Sequence, residues 1–291
     1  MKTAVITDEV SQDLDEVLKF ARDFKLDGIE LRSLWNKPPH QLTAEESDTL
    51  RDKCKEAGLR ICGIASPVFK CDIESKEEIA QHTGIFETTL ALAKKLESPV
   101  IRVFTGWRKP NNRELHPVAA AAFRDNLIPR LAGTDIILGV ENEYSTNVAD
   151  GEECASFLDA LGEAPVRIVW DPCNILYMPA FSDPLDGSYQ HVRGKVGHYH
   201  VKDARRREGG DPPAESVALG DGAARLKDTL KALLDDGYDG WVSLETHWRM
   251  QVKLTEDVTR SPMGAGFSAG AEPASRECMK RLQNWLAELH A

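Results

Sequence analysis

The sequence predicts a single (β/α)8 TIM barrel, with residues 1–291 forming one domain. Three observations lead to it. Apolar strand-like runs alternate with amphipathic helical patterns eight times without a break in composition, and strands alternating with helices build a parallel sheet. Eight such units in 291 residues fit a closed barrel. Four of the strand runs end in Glu, Asp, His and Glu, as a barrel whose chemistry sits at the C-terminal ends of its strands would require. The alternative, a doubly wound open sheet, would show a glycine-rich nucleotide turn after an early strand. Here Gly209-Gly210 and Gly220-Asp221-Gly222 lie late and lack that spacing.

The elements follow in order. Ala4 to Thr7 is the first strand, and Ser11 to Phe24 has helical spacing through Leu14, Val17, Leu18 and Ala21. Asp27-Gly28 turns the chain into Ile29-Glu30-Leu31-Arg32. After Pro38-Pro39, Thr43 is an N-cap with Glu46 as its capping-box partner, and Gly58 stops that helix. Leu59 to Ala65 is the third strand, Lys76 to Leu96 a long helix and Val100 to Phe104 the fourth strand. A helix from His116 to Leu131 has Pro117 in its first turn, where proline is tolerated. Ile136 to Glu141, Val166 to Asp171, Val196 to Lys202 and Trp241 to Glu245 are the last four strands. Between them lie a helix at Glu152 to Leu161, an irregular stretch from Tyr177 to Arg193 with one helix, and a helix at Leu226 to Asp235. An extended loop at about 249–272 precedes a C-terminal helix through Met279, Leu282, Trp285 and Leu286.

Composition narrows the function. The formal net charge is −11, and an acidic surface repels phosphate backbones, so nucleic acid is not an expected partner. No apolar run approaches the ~20 residues of a membrane helix. The start, Met1-Lys2-Thr3-Ala4-Val5-Ile6, runs straight into a strand and shows no secretory apolar segment, so a cytoplasmic protein is expected. The six cysteines form no CxxC pair and read as reduced, mostly buried thiols. A homo-oligomer is left open.

The chemistry concentrates at strand ends. In Gly197-His198-Tyr199-His200-Val201-Lys202, the period-two alternation of a strand puts His198, His200 and Lys202 on one face. Alone, that face also fits a solvated edge strand. Together with Glu141, Asp171 and Glu245 it reads as a metal site. Three carboxylates and an imidazole suit a six-coordinate divalent ion, with Mn2+ first and Mg2+, Co2+ or Zn2+ as the other fitting ions. Without a cation, one of three clustered carboxylates should hold its proton. Lys202 could hold a substrate oxygen or pair with a carboxylate. Glu30 and Arg102, at two strand ends, could bind hydroxyls or pair with each other. Trp35, Trp107 and Trp248 follow strands and could offer platforms to sugar faces.

Several segments together resemble the sugar phosphate isomerase/epimerase branch of the xylose isomerase-like TIM barrel superfamily. They are Gly28 to Arg32, Gly139-Val140-Glu141-Asn142, Trp170 to Asn174, His198 to Asp203, Leu219 to Gly222 and Gly237 through Glu245. The resemblance covers nearly the whole chain. It implies a divalent metal on Glu141, Asp171, His200 and Glu245, and chemistry on a polyol, sugar or keto-sugar. Proton abstraction next to a metal-chelated carbonyl is the implied step, with Glu141 and Glu245 matching the two proton-moving glutamates of the ketose 3-epimerases. Arg206 matches their substrate-binding arginine.

Departures are equally informative. A second glutamate of those epimerases is replaced by Asn147, and a histidine by Asn174, which leaves Asn174 and the extra Glu143 as substrate contacts beside Lys202 and His198. Relatives of the endonuclease IV type also use a histidine at the Asn174 position, which with the acidic charge weighs against DNA repair. The expected activity is a metal-dependent isomerase or epimerase of a sugar, keto-sugar or inositol derivative. The alternatives are a dehydratase or lyase using the same enolate, and a non-catalytic sugar-binding barrel.

Overall fold

The structure, a computed structural model, describes residues 1–251, 254 and 263–289. Eight parallel strands close a barrel: β1 (Lys2–Ile6), β2 (Gly28–Leu31), β3 (Arg60–Ala65), β4 (Val100–Val103), β5 (Ile137–Glu141), β6 (Val166–Trp170), β7 (Val196–Val201) and β10 (Trp241–Leu244). Each strand pairs with its sequence neighbours, and β10 returns to β1 through Lys2–Trp241 and Val5–Leu244. Helices lie between the strands. Their starts are fixed by side chains that accept otherwise orphaned backbone N–H groups: Asp13, Ser75 and Asp150 each do so, and Thr43 and Glu46 form the expected capping box.

Two strands, β8 (Asp203–Arg206) and β9 (Ala214–Val217), stand outside the barrel as an antiparallel hairpin directly after β7. The Asp203 carboxylate fastens its base, accepting from the N–H groups of Gly220, Gly222 and Ala224 at 2.8, 3.1 and 3.2 Å. Gly222 makes this approach feasible: a Cβ there would lie 2.1 Å from Asp203 Oδ1. Sequence patterning missed the hairpin because Arg205-Arg206-Arg207 carries no apolar alternation.

Two expected helices come out differently. The segment after His116 is α-helical only through Ala122, then widens into a π turn at Phe123–Leu127 and tightens into a 3-10 turn at Ile128–Leu131. Pro129, which lacks an N–H and crowds the carbonyl four residues back, accounts for the change. Between Tyr177 and Arg193 the chain forms a π turn at Pro184–Ser188 and a 3-10 turn at Tyr189–His191. Part of the loop expected at 249–272 lies outside the described residues; a short helix, Gly264–Ser268, falls within its described part, and the last helix runs Ala271–Leu289.

The barrel interior is layered. At the N-terminal end Trp241 packs with Ala4 and Cys62. Above them Gly139 must lack a side chain, because a Cβ there would sit 2.5 Å from Val169 Cγ2. Higher still the interior turns polar, with Glu30 against His198 and His200. The aliphatic core lies between barrel and helices. All six cysteines are unpaired and buried. Among the described residues, no helix is long and apolar enough to cross a membrane.

Candidate functional site

The polar layer is set by strand parity. His198 and His200 share one face of β7, and Glu141 ends β5. Asp171 follows β6 and caps the short helix Pro172–Ile175, its Oδ1 accepting from Cys173 N–H at 2.9 Å. Glu245 follows β10, with its N–H donating to Val201 O at 3.0 Å. Asn142 locks the β5 and β6 ends together: its Oδ1 accepts from Asp171 N–H at 2.7 Å, and its Nδ2 donates to Asp171 O at 2.8 Å.

Glu141, Asp171, His200 and Glu245 are all buried, and one ligand atom from each lies within 4.8 Å of the others. His200 Nδ1 stands 3.5 Å from Glu141 Oε1 and 3.4 Å from Glu245 Oε2. It and Asp171 Oδ2 are buried without a hydrogen-bond partner. Buried polar atoms are normally satisfied. Two unsatisfied ligand atoms converging with two carboxylates fit a hard divalent cation with open coordination positions. Two other groups are as compact, Glu30 with His198 and His200, and Glu9 with Glu245 and His247. In the first, both imidazoles already face Glu30 through Nε2, at 2.9 Å from His198 and 3.1 Å from His200. In the second, Arg32 and Arg249 supply the positive charge, with Arg32 Nη2 2.9 Å and Arg249 Nη1 3.2 Å from Glu9.

Internal cations surround the cluster. Arg102 Nη1 donates to Glu141 Oε2 at 2.6 Å, and Arg32 Nη1 to Glu245 Oε1. Lys202 Nζ lies 2.7 Å from Asp171 Oδ2, outside hydrogen-bond geometry, and 3.2 Å from Glu245 Oε2. Burial would raise the pKa of Glu141, but Arg102 and His200 outweigh it and hold the carboxyl at about 2. Burial likewise opposes ionisation of Glu245, and Lys202, His247 and His200 overcome it, so its pKa lies well below the usual range. Asp171 goes the other way: burial, reinforced by Glu245 and Glu141, pushes it up to about 7 despite Lys202. Burial disfavours charge on His200, yet Glu30, Glu141 and Glu245 raise its pKa well above the ordinary value.

A cavity of about 340 Å³ opens above these groups. Glu141, Glu245, Lys202, Asn174 and Glu143 line it. Asn174 Nδ2 donates to Glu141 Oε1 at 3.3 Å and its Oδ1 accepts from Lys202 at 3.1 Å. Glu143 Oε1 accepts from Ser145 Oγ at 3.0 Å. His198 is not part of the lining; it lies deeper, against Glu30. Arg206 also lies outside the lining, its Nη1 donating to Leu176 O at 2.8 Å and Met178 O at 2.6 Å. Glu30 and Arg102 do not pair with each other, since each has a nearer partner in His198 and Glu141. None of Trp35, Trp107 or Trp248 lines the cavity; its aromatic members are Phe104, Tyr144 and Tyr177. The buried side chain of Asn147 donates to Thr105 O at 2.9 Å and braces the loop. Sequence reading missed Arg32 as the tie to Glu245. An arginine ending the apolar run Gly28–Leu31, on the face of Glu30, was the available signal.

The chain superimposes on several solved structures at low identity. One described as an IOLI protein with a bound zinc atom has a TM-score of 0.77 and 17% identity, covering 99% of both chains. A D-tagatose 3-epimerase-like protein has a TM-score of 0.73 and 16% identity, covering 100% of this chain and 98% of its own. The probable 3-DHS dehydratase AsbF of Bacillus anthracis has a TM-score of 0.71 and 19% identity, covering 97% of this chain and 99% of its own. No curated protein sequence matches the chain. The family described as "Xylose isomerase-like TIM barrel" matches residues 18–284. With that match over most of its length, the chain belongs to the xylose isomerase-like TIM barrel family.

Proposed function

We propose that this protein is a divalent-metal-dependent isomerase or epimerase of a sugar, keto-sugar or inositol derivative, moving a proton at the carbon beside a carbonyl. The observation that carries the reading is the pair Glu141 and Glu245 flanking the unbonded Nδ1 of His200 at the floor of one cavity. Glu141, Asp171, His200 and Glu245 would hold the cation, Mn2+ first. When bound, it supplies Lewis acidity that polarises a substrate carbonyl and acidifies the neighbouring carbon. The rest falls to the chain. Arg102 keeps Glu141 ionised, and Lys202 with Arg32 does the same for Glu245, so both are ready to accept a proton. One removes the proton; the other, after taking a proton from solvent, delivers it from its own side. The Lys202 ammonium stands at the same floor within reach of substrate oxygens, Asn174 accepts from it and orients it, and Glu143 also lines the cavity. The zinc in the IOLI structure and the epimerase-like neighbour support this reading. A cytoplasmic setting belongs to it as well, in keeping with six unpaired cysteines.

Elimination is the second reading. Lys70 and Lys202 add ammonium groups and Glu143 a carboxyl to the lining beyond the metal-holding set, and an ammonium there could protonate a leaving group beta to the carbonyl. One experiment addresses both. The Mn2+-loaded protein is incubated in deuterated water with a panel of keto-sugars and inososes and followed by NMR. Deuterium should enter the carbon next to the carbonyl, and Glu245→Gln or Glu141→Gln should suppress it by ~10²–10⁴-fold. Loss of a hydroxyl from the product would select elimination. Turnover without any deuterium incorporation would refute the solvent-exchanging proton transfer.

A further inference from the structure

The cavity has two unlike halves. Its floor is charged and hydrogen-bonding, through Glu141, Glu245, Lys202 and Asn174. The lining also holds an apolar set, Pro38, Pro39, Tyr144, Tyr177 and Met263, together with Phe104, whose ring carries Arg102 at 4.4 Å and Lys70 at 4.9 Å. Tyr144, from the loop after β5, and Tyr177, from the loop after β6, stack with ring centroids 5.1 Å apart and planes inclined by 21°. The Tyr177 hydroxyl is engaged with Ser216 Oγ of β9 at 3.1 Å. Its polar end is thus held by the hairpin, and the ring serves as wall. Of the five exposed large hydrophobic side chains among the described residues, Trp107, Phe181, Met250 and Met263 lie in segments that follow barrel strands.

A bare polyol fills such a space only in part, since its C–H face can lie on one aromatic ring but its edges cannot. Every edge of a hexose or inositol ring carries hydroxyls, and pressing them against proline, phenylalanine and methionine removes water without replacing its hydrogen bonds. Flat apolar groups gain there instead, both by burial and by offset stacking on aromatic rings.

We propose that the substrate has two parts: a polyol or keto-sugar ring seated on the charged floor, and a planar apolar substituent, an aryl group in the simplest case, seated on the Tyr144 and Tyr177 wall. The proposal rests on the reading of the floor as the sugar half, and its test separates the two. The Mn2+-loaded full-length protein is titrated calorimetrically with matched phenyl and methyl glycosides of glucose, galactose and xylose, with and without chelator. At least one phenyl glycoside should bind tenfold or more tightly than its methyl partner. Tyr144→Ala should weaken that phenyl glycoside by about 3- to 10-fold and leave the methyl glycoside unchanged, while Tyr144→Phe, which keeps the ring, restores the affinity. Saturation-transfer NMR should place the strongest protein contact on the aryl protons. Equal affinities of phenyl and methyl glycosides, no binding of any phenyl glycoside, or equal losses for both in a folded Tyr144→Ala would overturn the apolar subsite. If phenyl preference persists but neither glycoside responds to the chelator, the subsite stands and the metal-dependent floor reading fails.

Discussion

Glu30 offers the most direct test of how the barrel interior supports the cluster. It is buried, and its carboxylate faces both imidazoles of β7: His198 Nε2 at 2.9 Å, and His200 Nε2 at 3.1 and 3.2 Å from its two oxygens. A carboxylate can only accept here, because its pKa lies well below the ordinary value: burial opposes ionisation, and His200 and His198 outweigh it. Each imidazole therefore donates through Nε2, which leaves Nδ1 of His200 as the atom aimed at Glu141 and Glu245. Glu30→Gln keeps the shape but leaves one acceptor oxygen and turns an amide toward a ring nitrogen. Removing the outer partner of a metal-bound histidine costs roughly 10- to 100-fold in metal affinity, or about 1.4–2.8 kcal/mol. Fold stability should fall by about 1–3 kcal/mol for the unsatisfied buried donor. The assay is competition for Mn2+ and Zn2+ against a chromophoric chelator, with circular dichroism to verify the fold. Unchanged metal affinity in a folded Glu30→Gln would refute the assignment of Glu30 as the support of His200.

Two further outcomes are expected. Lys202→Met leaves Asp171 and Glu245 without their nearest ammonium, which should cost the metal-free protein about 3–5 kcal/mol; added Mn2+ should then raise the Tm of the variant more than that of the wild type, and equal rises would contradict the pairing. Glu153 accepts from Arg108 Nη1 and Nη2 at 2.9 and 2.8 Å, Asn112 Nδ2 at 2.6 Å and Ala149 N–H at 2.8 Å. Burial would raise its pKa, but Arg108 and these donors lower it, so its stabilisation is complete above the unfolded value of about 4.3 and is lost as pH falls through the lower folded value. Urea melts across pH should show Glu153→Gln less stable by about 1–3 kcal/mol at pH 7, with the gap closing in acid; a pH-independent gap would count against it.

The barrel was legible because its signals are local and periodic: apolar runs of strand length, amphipathic spacing, and caps such as Thr43 with Glu46. The convergence of Glu141, Asp171, His200 and Glu245 was legible for a related reason, since a polar residue closing an apolar run stands out in one dimension. Partners set by closure of the barrel were not legible. Glu30 meets His200 from 170 positions away in the chain, and Arg32 reaches Glu245 across the join of β1 and β10. No local pattern encodes either contact. Strand parity placed His198, His200 and Lys202 on one face but not at one depth, so His198 lies beneath the cavity while Lys202 lines it. Pro129 announced an interruption in its helix that amphipathic spacing alone overrode.

The hairpin of β8 and β9 is fixed at its base by Asp203, reaches Tyr177 through Ser216, and ties down Leu176 and Met178 through Arg206. The hairpin after β7 and the stretch Leu176 to Met178 after β6 are therefore one mechanical unit that leans on the cavity wall, and none of the four clustered residues lies within it. Lengthening or resequencing the hairpin tip, Arg207 to Pro213, can reshape what the mouth admits while the strands bearing Glu141, Asp171, His200 and Glu245 stay in register. The shape of the cavity rim and the geometry of the four-residue cluster can thus vary independently in this chain. A library of hairpin tips is the natural starting point for altering its selectivity.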